Sequence, residues 1–155
     1  MTNRLQTQTI PNLILRAETA ADLMTANPVS IRATATVAEA VALLTDKGFS
    51  GAPVIDEAGR PIGVLSRADI ITHDREAVRL GICEPDFDKN APTRVRDLMT
   101  PAVFSVTPQT PATKVIAEML ALKVHRLFVV DNTGVLVGVI TALDVLRHLE
   151  PDSEV

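Results

Sequence analysis

The chain repeats itself at a fixed offset of 75 residues, the distance from Asp22 to Asp97, and no other feature constrains its fold as strongly. The tetrapeptide Asp-Leu-Met-Thr occurs at residues 22–25 and again at residues 97–100. The same offset, without a gap, aligns further identical pairs: Ser30 with Ser105, Asp56 with Asp131, Gly59 with Gly134, Gly63 with Gly138, Val64 with Val139, Asp69 with Asp144, and His73 with His148. The chain therefore contains two copies of one supersecondary unit.

The sequence predicts the same order of elements in each copy. Helical arms are expected at about residues 20–24 and 95–99, followed by short extended stretches at residues 29–31 and 103–106. An amphipathic helix comes next, because apolar residues recur at the spacing of one helical face: Val37, Ala40, Val41 and Leu44, then Ala112, Val115, Ile116 and Met119. Two apolar strands and a closing helix complete the copies, at residues 52–56, 61–66 and 67–74, and at residues 126–131, 135–141 and 142–149.

The predicted strands are almost continuously apolar, which indicates that both of their faces are covered. A single copy of about 55 residues is marginal for burying such strands alone. We therefore expect an α/β (α+β) fold in which two β-α-β-β-α repeats pack face to face with pseudo-twofold symmetry. The expected segments are an N-terminal tail, a first repeat, a connecting segment, a second repeat and a C-terminal tail, at residues 1–18, 19–74, 75–93, 94–150 and 151–155.

Composition disfavours several classes of function. A formal charge of −4 and four Phe as the only aromatic residues argue against nucleic-acid binding, which relies on clustered cations and on stacking platforms. The lone Cys83 permits neither an intrachain disulfide nor a cysteine metal cluster. Residues 1–11 lack the apolar core of a signal peptide, and no apolar run approaches the ~20 residues of a membrane helix. We expect a cytoplasmic protein with no membrane partner, no metal site and no catalytic residues, because no nucleophile–base pair is visible.

The junction between the last strand and the last helix of each copy is the candidate binding element. It carries Ser66 three residues before Asp69, and Thr141 three residues before Asp144. One interpretation is a capping box, in which hydroxyl and carboxylate satisfy the amides of the helix start. The other is a sugar-phosphate site, because a helix start attracts phosphate and a carboxylate accepts hydrogen bonds from ribose hydroxyls. Both interpretations predict recurrence in the two copies.

These elements together resemble the CBS (cystathionine-β-synthase) domain family, whose tandem pairs form Bateman modules. The resemblance covers about residues 19–150 and includes the Asp-Leu-Met-Thr lead-in and the Gly-x-x-Ser/Thr-x-x-Asp ending. In family members that bind nucleotides, the Asp of this ending holds the ribose, and the Ser or Thr holds a phosphate or ribose oxygen. The resemblance therefore implies these roles for Asp69 and Ser66, and for Asp144 and Thr141.

Residues 124–131 resemble the phosphate-contacting segment of the γ subunits of AMP-activated protein kinase. Arg126 suits phosphate because it is permanently charged and fork-shaped, and His125 can donate a hydrogen bond and gain charge beside a phosphate. The alternative is a solvated loop between helix and strand. The first copy has Ser50 and Gly51 at these positions, and its replacement cation is Arg67. The two clefts are therefore unequal, and the second copy's elements are expected to form the better phosphate site.

The family resemblance implies a regulatory module that binds AMP, ADP, ATP or a related adenosyl ligand and requires no cofactor. It places adenine in an aliphatic slot, without aromatic stacking, near residues 29–31 and 52–53 and near residues 104–106 of the second copy. The output would pass to an unidentified regulated protein or through self-association, and a homodimer is expected. The alternative is a protein-interaction scaffold that keeps the fold and binds no nucleotide. That alternative is favoured if Asp69 and Asp144 act only as helix caps.

Overall fold

The computed structural model describes residues 12–79 and 93–152, and the side chains of residues 76–79 are outside the description. Most of the connecting segment predicted at residues 75–93 lies outside the described residues. The elements in chain order are β1 (Leu13–Leu15), α1 (Ala20–Leu23), β2 (Thr25–Ala26), β3 (Ile31–Arg32), α2 (Val37–Lys47), β4 (Gly51–Ile55), β5 (Pro61–Ser66), α3 (Arg67–Arg79), α4 (Val95–Leu98), β6 (Ser105–Val106), α5 (Ala112–Leu122), β7 (Arg126–Val130), β8 (Leu136–Thr141), α6 (Ala142–Arg147) and β9 (Leu149–Pro151).

The two copies form two sheets with equivalent internal pairing. In the first, β3 runs parallel to β4, and β4 pairs antiparallel with β5. In the second, β6 runs parallel to β7, and β7 pairs antiparallel with β8. The register obeys the sequence offset, because Ile31 pairs with Val54 in one sheet and Val106 with Val129 in the other. The predicted α+β architecture of two β-α-β-β-α repeats is confirmed.

The short N-terminal arms are exchanged between the copies. The first copy's arm places Thr25 opposite Val139 at the edge of β8, in the second copy's sheet. The second copy's arm places Thr100 opposite Val64 of β5, where the two residues exchange backbone N–H···O hydrogen bonds of 2.9 Å in both directions. Each sheet therefore gains its outer edge from the other copy.

The hydrophobic cores show the same exchange. Ala20 and Leu23 of α1 are fully buried among residues of the second copy, whereas Val95 of α4 is buried in the core of the first copy. The start of α1 is fixed by Asp22, whose Oδ2 accepts hydrogen bonds from the amides of Glu18 at 2.9 Å and Thr19 at 3.1 Å. These bonds hold the pKa of the Asp22 carboxyl below its ordinary value. Neither core is complete without the arm of the other copy.

The repeated glycines Gly63 and Gly138 permit this close approach of the arms. A Cβ atom at Gly63 would lie 2.6 Å from the Thr100 carbonyl oxygen and 2.9 Å from the Met99 sulfur. At Gly138 a Cβ would overlap the sulfur of Met24. The glycine of each binding-element motif therefore makes room for a strand of the neighbouring copy.

Some elements differ from the sequence-based expectation. Residues 1–18 are predicted as a tail, yet β1 pairs antiparallel with β9 at the opposite end of the chain. Helix α3 extends to Arg79, beyond its predicted end at residue 74, and α6 stops at Arg147. The chain turns at His148, whose carbonyl accepts a 2.8 Å hydrogen bond from the Arg16 amide, so β9 replaces the last predicted helical turn. Within residues 12–79 and 93–152, every helix is too short or too polar to cross a lipid bilayer.

We predict that Gly63→Ala and Gly138→Ala each destabilise the fold by about 1–3 kcal/mol, the usual cost of overpacking a filled interior. The two should respond differently to trimming of the neighbouring methionine. The crowding atoms at Gly138 all belong to the Met24 side chain, whereas the atom nearest to a Gly63 Cβ is a backbone oxygen. In urea unfolding, Met24→Ala should recover part of the Gly138→Ala loss, with a coupling of about 0.5 kcal/mol or more. If Met99→Ala recovered an equal part of the stability lost in Gly63→Ala, the result would contradict a clash with the Thr100 backbone oxygen.

Candidate functional site

A cavity of about 280 Å³ lies between the two copies. The first copy supplies the end of β5 and the start of α3, and the second copy supplies its lead-in segment and β7. The cavity is lined by Val64, Ser66, Asp69, Thr100, Ala102, Phe104, Val124, Arg126 and Phe128. It is therefore a composite site that neither copy could form alone.

Asp69 and Ser66 form a helix cap at the edge of this cavity. The Ser66 amide donates a 2.9 Å hydrogen bond to Asp69 Oδ2, and the Asp69 amide donates a 3.2 Å hydrogen bond to Ser66 Oγ. Among the described residues, the other carboxylate oxygen, Oδ1, has no hydrogen-bond partner, and the residue is only half-buried. The capping interpretation is thus correct for Ser66 Oγ and Asp69 Oδ2. It leaves Oδ1 available to a ligand in the cavity.

Arg126 provides positive charge on the opposite wall. It begins β7 and is the strand partner of Thr141, yet it lines the cavity that carries Ser66 and Asp69. Its guanidinium makes no hydrogen bond or ion pair with any other described residue. Asp69 and Arg126 thus contribute to the lining of one cavity, and no salt bridge joins the two residues.

The remaining wall of the cavity is apolar and partly aromatic. Phe104 is 41% exposed, whereas Phe128 is buried. The lining thus includes Phe104, which belongs to the predicted slot at residues 104–106, and a second aromatic residue, Phe128. Phe128 and Val124 belong to the segment 124–131 but are not among the predicted site residues. Because alternate residues of a strand share one face, Phe128 could have been included on account of its position two after Arg126.

The related junction of the second copy is far more enclosed. The Asp144 side chain is only 9% exposed, and its Oδ2 accepts hydrogen bonds from the Thr141 amide at 2.9 Å and the Thr141 hydroxyl at 3.0 Å. Its Oδ1 accepts from the Thr25 hydroxyl at 3.4 Å and from the Arg147 guanidinium at 3.5 Å. Both carboxylate oxygens are thus engaged within the protein.

The two other predicted cations lie outside the cavity lining. His125 is exposed, and its carbonyl oxygen accepts a 3.0 Å hydrogen bond from the Ala142 amide at the start of α6. Arg67 directs Nη2 toward the Leu44 carbonyl oxygen at 3.4 Å, near the end of α2, where a cation complements the helix dipole. The structure gives both residues an intramolecular contact, and their roles toward a nucleotide stay predictions.

The sequence leaves open which junction Arg126 joins, because the pairs of this family build each cleft from both copies. The structure places Arg126 in the lining of one cavity together with Ser66 and Asp69 of the first copy. Residues of β7 thus share a cavity with residues of β5 and α3.

The profile of the CBS domain matches residues 20–76 and 95–151. The chain belongs to the CBS domain family. It is 34% identical over 116 residues to the γ-3 subunit of 5′-AMP-activated protein kinase from Bos taurus, covering 75% of this chain and 23% of that subunit. It is also 34% identical over 135 residues to the chloroplastic CBS domain-containing protein CBSX1 from Arabidopsis thaliana, covering 76% of this chain and 57% of that protein. The CBS pair thus spans about a quarter of the kinase subunit and somewhat over half of CBSX1.

Solved structures of CBS pairs share this fold. The crystal structure of CBSX2 in complex with AMP superimposes with a TM-score of 0.68 at 32% identity, covering 84% of this chain and 95% of that one. The cytosolic domain of the Mg²⁺ channel MgtE in complex with ATP gives a TM-score of 0.66, also at 32% identity, covering 86% of this chain and 49% of that one. The resemblance to the CBS family seen in the sequence is confirmed.

We predict unequal stability losses when the two related aspartates are truncated. Asp69→Ala should cost about 0.5–2 kcal/mol, the usual value of a helix cap, because only one of its oxygens is engaged. Asp144→Ala should cost more, about 1.5–3 kcal/mol, because it removes hydrogen bonds to a buried charged group. Thermal unfolding without ligand measures the difference, at about 2–4 °C per kcal/mol for a chain of this size. Equal losses would contradict the different burial of the two side chains.

Proposed function

We propose that this CBS pair is a regulatory module that binds an adenosine nucleotide, such as AMP, ADP or ATP, in the composite cavity. The observation that carries the proposal is that Asp69 of one copy and Arg126 of the other contribute to the lining of the same cavity and that no salt bridge joins them. A nucleotide has complementary groups for both, namely ribose hydroxyls and phosphate. A ligand bound here would contact both copies and report on their relative packing.

The polar wall suits a sugar-phosphate group. The free Oδ1 of Asp69 can accept hydrogen bonds from ribose hydroxyls, as acidic residues do in dinucleotide-binding folds. Ser66 and Thr100 also belong to the cavity lining, and their hydroxyls can bind ribose or phosphate oxygens. Arg126 can form charge-assisted, bidentate hydrogen bonds with a phosphate. Helix α3 begins beside these groups, and its positive end favours an anion.

The apolar wall suits a purine base. Phe104 and Phe128 offer ring faces or edges, and Val64 and Val124 offer aliphatic surface. The cavity volume of about 280 Å³ lies near the lower end of the roughly 300–1,000 Å³ typical of small-molecule sites. This size favours one small ligand, of which a mononucleotide is an example.

We propose that the module acts in the cytoplasm as a non-enzymatic homodimer and passes its ligand state to a partner protein. Support comes from relatives at about one-third identity, which include a subunit of a kinase and the CBS proteins CBSX1 and CBSX2, the latter in complex with AMP. No group of three or more potential metal-ligating residues occurs in the described part of the chain.

A scaffold that binds no nucleotide remains the second candidate function. The observation that favours it is the capping geometry, because Asp69 and Asp144 both accept hydrogen bonds from the amide of their own Ser or Thr. In that case the arms and helices would present a protein-binding surface whose packing does not depend on a ligand.

A thermal-shift screen separates the two functions. The purified chain is heated with AMP, ADP, ATP, S-adenosylmethionine, NAD or a cyclic dinucleotide. A nucleotide at about 100 times its Kd should add about 2.7 kcal/mol of stability, which raises Tm by several degrees. If none of the adenosyl compounds raises Tm, the scaffold function is supported instead.

Substitution of Arg126 tests the orientation of the ligand. We predict that Arg126→Gln weakens AMP binding by about tenfold or more, the value of a hydrogen bond to a charged group, and leaves adenosine binding nearly unchanged. Titration calorimetry with AMP and adenosine measures the difference. Arg32→Gln is the matched control, because Arg32 is an exposed strand residue outside the cavity lining. Equal losses for AMP and adenosine would contradict a phosphate contact by Arg126.

A further inference from the structure

The two clefts of this pair are related by the sequence repeat but differ in the state of their acidic residue. Asp69 is half-buried and, among the described residues, retains a carboxylate oxygen without a hydrogen-bond partner. Asp144 has a side chain that is only 9% exposed, and both of its oxygens are occupied by protein donors. A ribose hydroxyl could therefore bind Asp69 Oδ1 without displacing any donor. At Asp144 it would have to displace donors of the protein.

The two residues that donate hydrogen bonds to Asp144 Oδ1 have different counterparts in the first cleft. One counterpart makes no side-chain hydrogen bond to Asp69, and the other is uncharged. Thr25 belongs to the exchanged arm and donates to Asp144 across the interface between the copies. Its counterpart Thr100 lines the open cavity, and in the described structure it makes no side-chain hydrogen bond to Asp69. Arg147 adds a guanidinium beside Asp144, whereas the residue 75 positions earlier is the uncharged Thr72. The second cleft thus contains its own hydroxyl and its own cation.

The second cleft also lacks the cation that Arg126 supplies to the first. The counterpart of Arg126 is Gly51, which has no side chain. A Cβ atom at Gly51 would lie 2.9 Å from the Leu65 carbonyl oxygen, a contact that cannot be relieved by side-chain rotation because the oxygen belongs to the backbone. The backbone itself therefore excludes a cation at this position of the first copy.

We propose that each chain binds a single nucleotide, in the Asp69–Arg126 cavity, and that the contacts of Thr25 and Arg147 with Asp144 close the second cleft. This inference rests on the proposed function. In the second cleft, the Thr25–Asp144 hydrogen bond ties the arm of one copy to the last helix of the other. In the first cleft, the nucleotide supplies the corresponding link between Thr100 and Asp69. Regulation is therefore one-sided: ligand binding tightens only the contact between α3 and the second copy's arm.

Titration calorimetry with AMP, ADP and ATP, each titrated separately, measures the number of sites. We expect one nucleotide per chain for the wild type. Asp69→Asn should raise Kd by about tenfold or more, because a hydrogen bond to a charged group is lost.

Identical substitutions at the two related threonines provide the matched comparison. Thr100→Val should raise Kd, since Thr100 lines the cavity. Thr25→Val should leave the Kd of the Asp69–Arg126 cavity unchanged and should lower Tm in the absence of ligand, since it removes an internal hydrogen bond. Arg147→Gln should behave like Thr25→Val.

The outcomes distinguish this inference from the proposed function. Two nucleotides per chain would overturn the inference and leave the proposed function intact. Loss of nucleotide binding in Thr25→Val, with binding retained in Thr100→Val, would also overturn the inference and leave the proposed function intact. If the folded wild type binds none of the three nucleotides, the proposed function fails and the inference fails with it.

Discussion

The exchange of arms between the copies is the interaction on which the rest of this structure depends. Backbone hydrogen bonds between Thr100 and Val64 fasten one arm to the edge of the first sheet, and the pairing of Thr25 with Val139 fastens the other. Each arm also delivers buried apolar residues to a core that would otherwise be incomplete. Because a copy of about 55 residues has little apolar surface to bury, this reciprocal completion is what makes the pair a stable unit.

The same exchange creates the candidate site. Thr100 is held at the edge of β5 by its backbone, which brings the segment from Ala102 to Phe104 over the end of that strand. Asp69 stands at the start of the following helix, and β7 of the second copy supplies Arg126 opposite. The shape of the cleft thus follows from the exchange of arms that completes the two cores. A ligand that fills the cavity therefore acts on the same contact that stabilises the fold.

Much of the fold could be predicted from the sequence, because an ungapped offset copies the strands and helices of each β-α-β-β-α unit and the register of its sheet. The sequence could not reveal which core receives which arm: the Asp-Leu-Met-Thr motif is identical in both copies, so its local pattern is the same whether or not the arms are exchanged. For the same reason, the sequence leaves open whether Arg126 shares a cleft with Asp69 or with Asp144. The strand at residues 13–15 was missed because three residues carry too little periodicity to indicate a strand. Burial of Asp144 depends on Thr25 and Arg147, which lie in two separate elements.

The pairing of β1 with β9 has a consequence for the order of the copies. Leu13 lies opposite Pro151, so the two ends of the described chain run side by side at one edge of the molecule. A short peptide could join them into a closed ring, and new termini could then be opened at an exposed turn elsewhere, as circular permutation requires. In such a ring neither repeat is first. The arrangement of the sheets would then depend on the pairing of the two copies and not on which copy comes first in the chain.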